Sequence, residues 1–302
     1  MIVRLIWLLL VTTLSSPVNA AEPAAIDGKQ IEQITGVQGA LNQQENVFKI
    51  SKPRNDVKID VDHWTMPPFM GLTSWASFTP AQDGQTMMMG DTVVVEDEVN
   101  DAMSAALDAG LEVTALHNHF FFDAPKVFFM HIGGMGDAAK LAGGVKKVFD
   151  QIAAIRAAQP QPQAMFGGSK IGASNAISGD PLAAIVGVNG QSKDGMFKIS
   201  IGRPATMHGI KIGNEMGVNT WAAFAGTDDE AVMDGDFAMT AKELQPVLKA
   251  MRGEKINVVA IHSHMSDEEP RYVFLHYWGK GKAAALARSL KTVLDAQSKV
   301  AH

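Results

Sequence analysis

The chain of 302 residues contains no cysteine. This absence excludes disulfide bonds, thiolate metal sites, cysteine nucleophiles and a lipid attached to an N-terminal cysteine. Any bound metal ion must therefore be held by His, Asp, Glu or, less often, Met side chains. Charged residues make up only 19% of the chain, its formal net charge is −6, and it has no basic run. This charge balance argues against a nucleic-acid-binding surface.

Long apolar runs are equally scarce, and beyond the first twenty residues none is long enough to cross a bilayer. Residues 1–20 have the three parts of a secretory signal peptide. Arg4 supplies a positive charge, residues 5–14 are apolar, and small side chains at 18–20 precede a cleavage point. The sequence therefore predicts a periplasmic or secreted protein with no membrane span, whose mature chain starts near Ala21.

Histidine is used in a repeated pattern. Six of the nine histidines lie in two copies of the pattern H-x-H-x5-P-x5-H. They are His117, His119 and His131 in the first copy and, each 145 residues later, His262, His264 and His276 in the second. The repeat extends further, since residues 111–150 and 256–295 share 16 identities in 40 positions without a gap. The period is as long as a domain, which indicates a tandem duplication rather than a solenoid.

The duplication predicts the domain organisation. After a signal peptide of residues 1–20, we expect repeat one over residues 21–156 and repeat two over residues 181–302. Residues 157–180 are rich in Pro, Gln, Gly and Ser, which is typical of a linker. Hydrophobic periodicity within each repeat predicts the order β-β-β-α-β-β-α. This order indicates an α+β fold of two tandem homologous repeats, each a largely antiparallel sheet with helices packed on one face.

The histidine pattern predicts a metal site in each repeat. Side chains alternate along a strand, so His117 and His119 are expected on one face. If the next strand pairs antiparallel about a centre near Ala124, His131 falls beside His117 on that face. Three neutral imidazoles then meet with a coordination position left open, which suits a divalent transition metal ion, zinc above others. The same argument applies to repeat two.

Two other interpretations of the histidines remain open. In one, the rings form a hydrogen-bonded structural cluster, since a duplication copies structural residues as faithfully as functional ones. In the other, they perform acid–base chemistry directly, without a metal ion. We expect metal binding because all three histidines persist in both copies while most of the surrounding positions differ.

Two glutamates that match between the copies are expected to have structural roles. Glu98 and Glu243 lie near the start of a predicted helix, and Thr240 with Glu243 fits a capping box. Val95 takes the place of the threonine in repeat one, so a box of that kind is not expected there. Helix capping is therefore favoured over metal ligation for both glutamates.

Two further pairs of polar residues also match between the copies. Asp91 and Asp236 each follow a glycine, and we expect them to be turn residues rather than ligands. His63 and His208 lie in loops rich in Pro, Gly or Met, and a substrate-facing role is the hypothesis for this pair. None of the four is counted among the predicted ligands.

Several stretches of the chain resemble a known family. They are Ser74-Trp75-Ala76-Ser77-Phe78, Gly90-Asp91, the stretch from Val113 to His119, Pro125, and His131 with the glycine-rich segment after it. These stretches are similar to the LppY/LpqO-like family of exported proteins, and the likeness covers nearly all of both repeats. The resemblance implies an exported location and a tandem architecture, without an established activity or metal. The lipidated cysteine of the lipoprotein members is absent here, so their membrane anchor is not expected.

Two functions of different classes follow from these patterns. The first is an exported metal-binding protein whose ion activates water to hydrolyse a small-molecule or cell-envelope substrate. The second is a non-enzymatic binding module that holds an envelope glycan, lipid or peptide in a histidine-lined cleft. The aromatic runs Phe120-Phe121-Phe122 and Tyr277-Trp278 favour the second function. An exposed triple phenylalanine would form an unusual apolar patch.

Overall fold

Alternating apolar and polar residues produce a chain dominated by strands, with helices between them. The computed structural model describes residues 25–167 and 170–300. The predicted signal peptide lies outside the described residues. The elements of repeat one are α1 (Gly28–Thr35), β1 (Gly39–Asn42), β2 (Val47–Pro53), β3 (Asp60–Val61), β4 (Trp64–Thr65), β5 (Thr73–Pro80), β6 (Thr86–Val95), α2 (Val99–Asp108), β7 (Glu112–His117), β8 (Asp123–Ala124), β9 (Val127–Gly136) and α3 (Ala138–Ala158).

Repeat two contains the same kinds of element in the same order. Among the described helices of both repeats, none is long and apolar enough to cross a membrane. The elements of repeat two are α4 (Gly179–Val186), β10 (Gly190–Lys193), β11 (Met196–Gly202), β12 (Ala205–Met207), β13 (Ile210–Ile212), β14 (Asn219–Gly226), β15 (Ala231–Thr240), α5 (Ala241–Gly253), β16 (Asn257–His262), β17 (Glu268–Glu269), β18 (Tyr272–Gly281) and α6 (Ala283–Ser298).

Twelve strands form one sheet that runs through both repeats. Its strand order is β1-β2-β5-β6-β9-β7-β16-β18-β15-β14-β11-β10. Every neighbouring pair in this sheet is antiparallel. The second half of the order is the first half reversed, with each strand replaced by its counterpart in the other repeat. The predicted α+β class, with tandem repeats and an antiparallel sheet, is therefore confirmed.

The two repeats meet at the pair β7 and β16, in the middle of the sheet. We call this junction the seam. Leu116 pairs there with Ile261, which occupies the same position 145 residues later. Because equivalent residues face each other in an antiparallel pair, the repeats are related by a local two-fold axis at this point.

Two amide side chains join the repeats beside the seam. Asn100 of α2 accepts a hydrogen bond from the N–H of Val258 at 2.8 Å and donates to its carbonyl oxygen at 3.3 Å. Gln245 of α5 does the same with Val113, accepting at 3.0 Å and donating at 2.8 Å. The pairings of β7 with β9 and of β16 with β18 are irregular at these residues. Such an irregularity leaves backbone N–H and C=O groups without a partner in the adjacent strand. The amides satisfy those groups in the opposite repeat.

The six α-helices found among the described residues cover one face of the sheet. The largest apolar cluster includes residues of every helix, and Leu116 and Ile261 of the seam belong to it. Burial of this apolar surface is the dominant favourable contribution to folding. The two repeats therefore share one core as well as one sheet.

The opposite face carries two smaller apolar clusters. In repeat one, Val93 and Phe129 belong to such a cluster, whereas their neighbours Val94 and Met130 lie in the main core. Side chains alternate between the faces of a strand, so this cluster lies on the face without helices. The three-stranded sheet β4-β3-β8 packs over it, and β13-β12-β17 packs over a matching cluster in repeat two. We call these small sheets the two walls.

Glu98 and Glu243 are buried, and each binds an arginine. The carboxylate of Glu98 accepts hydrogen bonds from both terminal nitrogens of Arg54 at 2.8 Å, and Arg156 forms a second ion pair with it at 2.8 Å. The carboxylate of Glu243 accepts two hydrogen bonds from Arg203 at 3.1 Å. Both glutamates are therefore committed to structural ion pairs.

The same two glutamates also lie at the start of a helix, Glu98 just before α2 and Glu243 in the first turn of α5. The capping box predicted for Thr240 and Glu243 is confirmed at the start of α5, where the N–H of Thr240 donates to Glu243 at 2.8 Å. In repeat one, Val95 has no side-chain oxygen to offer, as expected, but its N–H donates to Glu98 at 2.9 Å. The half of the box that the glutamate makes is therefore present in both repeats.

We predict that Glu98→Gln lowers the free energy of unfolding by about 1–3 kcal/mol, because Arg54 and Arg156 lose their buried shared carboxylate and keep Asp56 and Asp97 as charged partners. Asp150→Asn is the matched control, since Asp150 pairs with Lys146 on an exposed part of α3. Such a pair contributes about 1 kcal/mol or less. Urea denaturation followed by circular dichroism measures both variants. Equal unfolding midpoints would contradict a large contribution from the buried pair.

Candidate metal centre

Each histidine hairpin pairs in a register that differs from the expected one. His131 lies opposite Ala115, and His117 lies opposite Phe129. The pairing is centred on Asp123, one residue from the expected centre near Ala124, so His131 lies diagonally beside His117 on the same face. The loop closes around Asp123, whose carboxylate accepts the N–H of Val127 at 2.7 Å, rather than around the midpoint of the histidines. A shift of two residues preserves the face, so the side chains still meet.

In repeat one the three imidazole rings are in contact. The ring centres of His117 and His131 are 5.2 Å apart and nearly parallel, and those of His117 and His119 are 5.1 Å apart. The Nε2 atoms of His117 and His119 are 3.2 Å apart. His119 lies beyond the end of β7 and stacks on Phe129 with ring centres 3.3 Å apart. The three rings are therefore in contact, but among the described residues of repeat one no group of three has ligand atoms that all lie within 4.8 Å of one another.

In repeat two the rings meet in the same way. The ring centre of His262 is 4.8 Å from that of His276 and 5.1 Å from that of His264. The Nδ1 atom of His264 is 3.2 Å from the carbonyl oxygen of Gly217, and the Nδ1 atom of His276 is 3.2 Å from that of Gly235. A backbone carbonyl that accepts the Nδ1 proton leaves the Nε2 lone pair free for a ligand.

Two aspartates complete these clusters. Asp91 lies opposite His131 between β6 and β9, and Asp236 lies opposite His276 between β15 and β18. Both aspartates are buried, and the Oδ1 atom of each has no hydrogen-bond partner among the described residues. The carboxylates therefore lie on the face of the sheet that carries the histidines.

The glycines before these aspartates are required by close packing between strands. A Cβ atom on Gly90 would lie 2.7 Å from the carbonyl oxygen of Trp75. A Cβ atom on Gly235 would collide with the Tyr277 ring and with the carbonyl of Trp221. The expectation of turn residues was therefore wrong for both aspartates. Their 145-residue spacing, shared with the histidines, was the signal that could have identified them.

Burial works against the charge of both carboxylates. Desolvation raises the pKa of Asp91 and Asp236, although the neighbouring histidines act in the opposite direction. The Oδ2 atom of Asp236 is 3.1 Å from the Nε2 atom of His264. A buried carboxylate with an unsatisfied oxygen is stabilised by a nearby cation.

Burial also favours the neutral form of three of the imidazoles. Desolvation lowers the pKa of His117 and of His119. It lowers the pKa of His262 to about 4, and the charges of His276 and His264 act in the same direction. Because only a neutral imidazole has a lone pair to donate to a metal ion, this environment favours the ligand form of the rings.

Within residues 25–167 and 170–300, one group of side chains has the spacing of a metal site. The ligand atoms of Asp236, His262 and His264 all lie within 4.8 Å of one another. Two imidazole nitrogens and a carboxylate oxygen form a donor set that zinc and other divalent transition metals accept. His276, the third predicted histidine of repeat two, stacks on His262 at the edge of this group.

The other residues singled out in the sequence lie on the surface. His63 and His208 are exposed turn residues with positive φ values of 64° and 51°. In the histidine hairpin of repeat one, the side chains of Phe121 and Phe122 are 78% and 83% exposed. They form the apolar tip that the binding-module hypothesis requires. By contrast, Tyr277 is buried and donates its hydroxyl to a backbone carbonyl.

A family model described as Domain of Unknown Function (DUF1259) matches residues 29–151 and 180–296. The chain belongs to this family. Its two matched segments correspond to the two repeats, and the family description assigns no activity. No curated protein matches the chain.

Two solved structures show a distant likeness. One is PduB, a trimeric bacterial microcompartment shell protein, with 10% identity, 87% of this chain and 91% of that chain covered, and a TM-score of 0.23. The other is the double-ringed trimeric shell protein MSM0271 from the RMM microcompartment, with 11% identity, coverages of 73% and 85%, and a TM-score of 0.18. At these TM-scores neither structure supports an argument about this chain.

We predict that the metal-free protein loses stability relative to its His262→Gln variant as the pH falls from 6.5 towards 4. The pKa of His262 is lowered from 6.5 to about 4 by folding, so over this range the unfolded chain binds a proton that the folded chain does not. The difference between the two urea midpoints, measured at each pH, isolates this residue. A constant difference would contradict the lowered pKa.

Proposed function

We propose that each repeat binds one divalent transition metal ion, zinc above others, through histidine and aspartate side chains. The observation that carries the proposal is the group Asp236, His262 and His264, whose ligand atoms lie within 4.8 Å of one another. A site of two imidazoles and one carboxylate leaves coordination positions open for water or substrate.

Repeat one supports the proposal. Asp91, His117 and His119 occupy the positions in repeat one that Asp236, His262 and His264 occupy in repeat two, 145 residues later. In addition His131 and His276 stack on the central histidine of their own cluster. A duplicated set of imidazoles around a buried carboxylate has the donors and the charge that a divalent cation requires.

The chemistry that we assign to these sites is hydrolysis of a substrate in the cell envelope. A bound zinc ion lowers the pKa of a coordinated water molecule towards neutrality. The carbonyl oxygen of Gly217 orients His264, and Asp236 balances part of the positive charge. The predicted signal peptide favours the periplasm or the cell exterior as the location of this activity.

A binding function without catalysis is the second candidate. The exposed Phe121 and Phe122 favour it, because they present an apolar surface on the hairpin that follows His119. A lipid or peptide ligand would contact this tip while the histidines line the adjoining face. Ligand binding by the metal-free chain, without turnover, distinguishes this function from hydrolysis.

We predict one metal ion per repeat in tag-free protein measured by elemental analysis after zinc reconstitution and gel filtration. The double variant His262→Ala and His264→Ala is expected to lose the ion of repeat two, and His117→Ala with His119→Ala that of repeat one. His63→Asn is the control, since His63 is exposed and asparagine tolerates its positive φ. Wild-type protein that takes up no zinc, copper, iron, manganese, cobalt or nickel would refute the proposal.

A further inference from the structure

The two sites face each other across the seam. Resting on the proposed function, we propose that they form the ends of one trough, which takes a single elongated ligand with an anionic group at each end.

The histidines of the two repeats are neighbours on one face. His117 and His262 directly follow Leu116 and Ile261, the residues paired at the seam. In an antiparallel pair they therefore lie one residue to either side of that pair, on adjacent strands. Leu116 and Ile261 belong to the main core, so the alternating side chains of the two histidines point to the face without helices. The clusters are therefore adjacent rather than isolated.

The floor between the clusters is low. His131 on β9 and His276 on β18 are three strand spacings apart, which corresponds to about 14 Å at about 4.8 Å per spacing. On this face the two strands between them carry His117 and His262, together with Ala115 opposite His131 and Ala260 opposite His276. The methyl side chains of the two alanines rise little above the backbone, so an extended ligand has room to cross the seam between the imidazoles.

The two walls border this floor on opposite sides. The wall of repeat one packs over Phe129, which lies opposite His117. The wall of repeat two packs over Phe274, which lies opposite His262. Because of the local two-fold axis, the walls flank the row of histidines diagonally. The row therefore forms the floor of a trough that crosses the seam.

A lysine lies at each end of the trough. The Nζ atom of Lys49 is 4.3 Å from the ring centre of Trp75, and the Nζ atom of Lys198 is 4.3 Å from that of Trp221. Cation–π attraction positions each ammonium group over its ring. Each tryptophan lies opposite the site aspartate of its repeat, one strand further from the seam. Each end therefore combines a metal site with a fixed positive charge.

This arrangement selects the chemical class of the ligand. A phosphate or carboxylate group is attracted by both the metal ion and the lysine at one end. A second anionic group on the same molecule reaches the other end when about 14 Å separates the two groups. Once one end is bound, binding of the other becomes intramolecular, and affinity rises without any new kind of contact.

The test compares two probes on the zinc-loaded full chain by isothermal titration calorimetry. The first probe is a series of ethylene-glycol-spaced bisphosphonates of increasing length, and the second is the matching series with one phosphonate. We expect one bisphosphonate per chain, with a gain of about 100-fold over the single-headed probe when the spacer reaches about 14 Å. The gain is expected to vanish in the variant with His262→Ala and His264→Ala, which keeps the site of repeat one.

The contribution of the two lysines to ligand affinity is tested separately. Lys49→Gln with Lys198→Gln is expected to weaken both probes at least fivefold while metal content stays unchanged. Lys147→Gln is the control for charge, since Lys147 is exposed on α3, on the opposite face.

The results separate failure of this proposal from failure of the proposed function. Two bound zinc ions with no dependence on spacer length would overturn the shared trough and leave the metal sites standing. A gain that persists in the single-site variant would also overturn it. A chain that takes up no metal would overturn both proposals.

Discussion

The antiparallel pair of Leu116 and Ile261 is the contact on which the rest of this structure depends. It joins two half-sheets into one sheet and brings the helices of both repeats into one core. Its register also decides which side chains face outwards. A slip of one residue would turn His117 and His262 towards the helices and bury apolar partners on the wrong face. The amides of Asn100 and Gln245 oppose such a slip, because each holds the backbone of the other repeat.

The candidate metal centre is a consequence of strand alternation. In each central strand the residue before the histidine packs into the core, and the histidine itself points away from it. The aspartates join the histidines because the preceding glycine allows two strands to approach closely, as the contact of Gly90 with Trp75 shows. Three neighbouring strands and His119, just beyond the end of β7, supply the cluster of repeat one, and the equivalent elements of repeat two supply the other.

The sequence predicts this arrangement in part. The 145-residue period and the alternation of residues along a strand are visible in the sequence itself. They therefore predicted the tandem repeats, the fold class and the shared face of the histidines. The register of the histidine hairpin depends on the carboxylate of Asp123, and midpoint counting could not reveal it. Asp91 was assigned to a turn because Gly-Asp is a common turn sequence. Gly90 is instead required by the close approach of the neighbouring strand at Trp75. The pairing of Leu116 with Ile261 joins residues 145 apart and has no local signal.

Differences between the repeats show where the pseudo-symmetry ends. The histidines, aspartates and glutamate–arginine pairs recur in both copies. Both the histidine row on the outer face and the buried ion pairs are therefore duplicated. The hairpin tips are not: Phe121 and Phe122 are exposed in repeat one, and Ser266 and Asp267 take their places in repeat two. A molecule that lies across both sites therefore meets an apolar rim at one end and a polar, acidic rim at the other. Under the proposed function, the unequal rims of the two candidate sites favour an unsymmetrical ligand that binds in one direction.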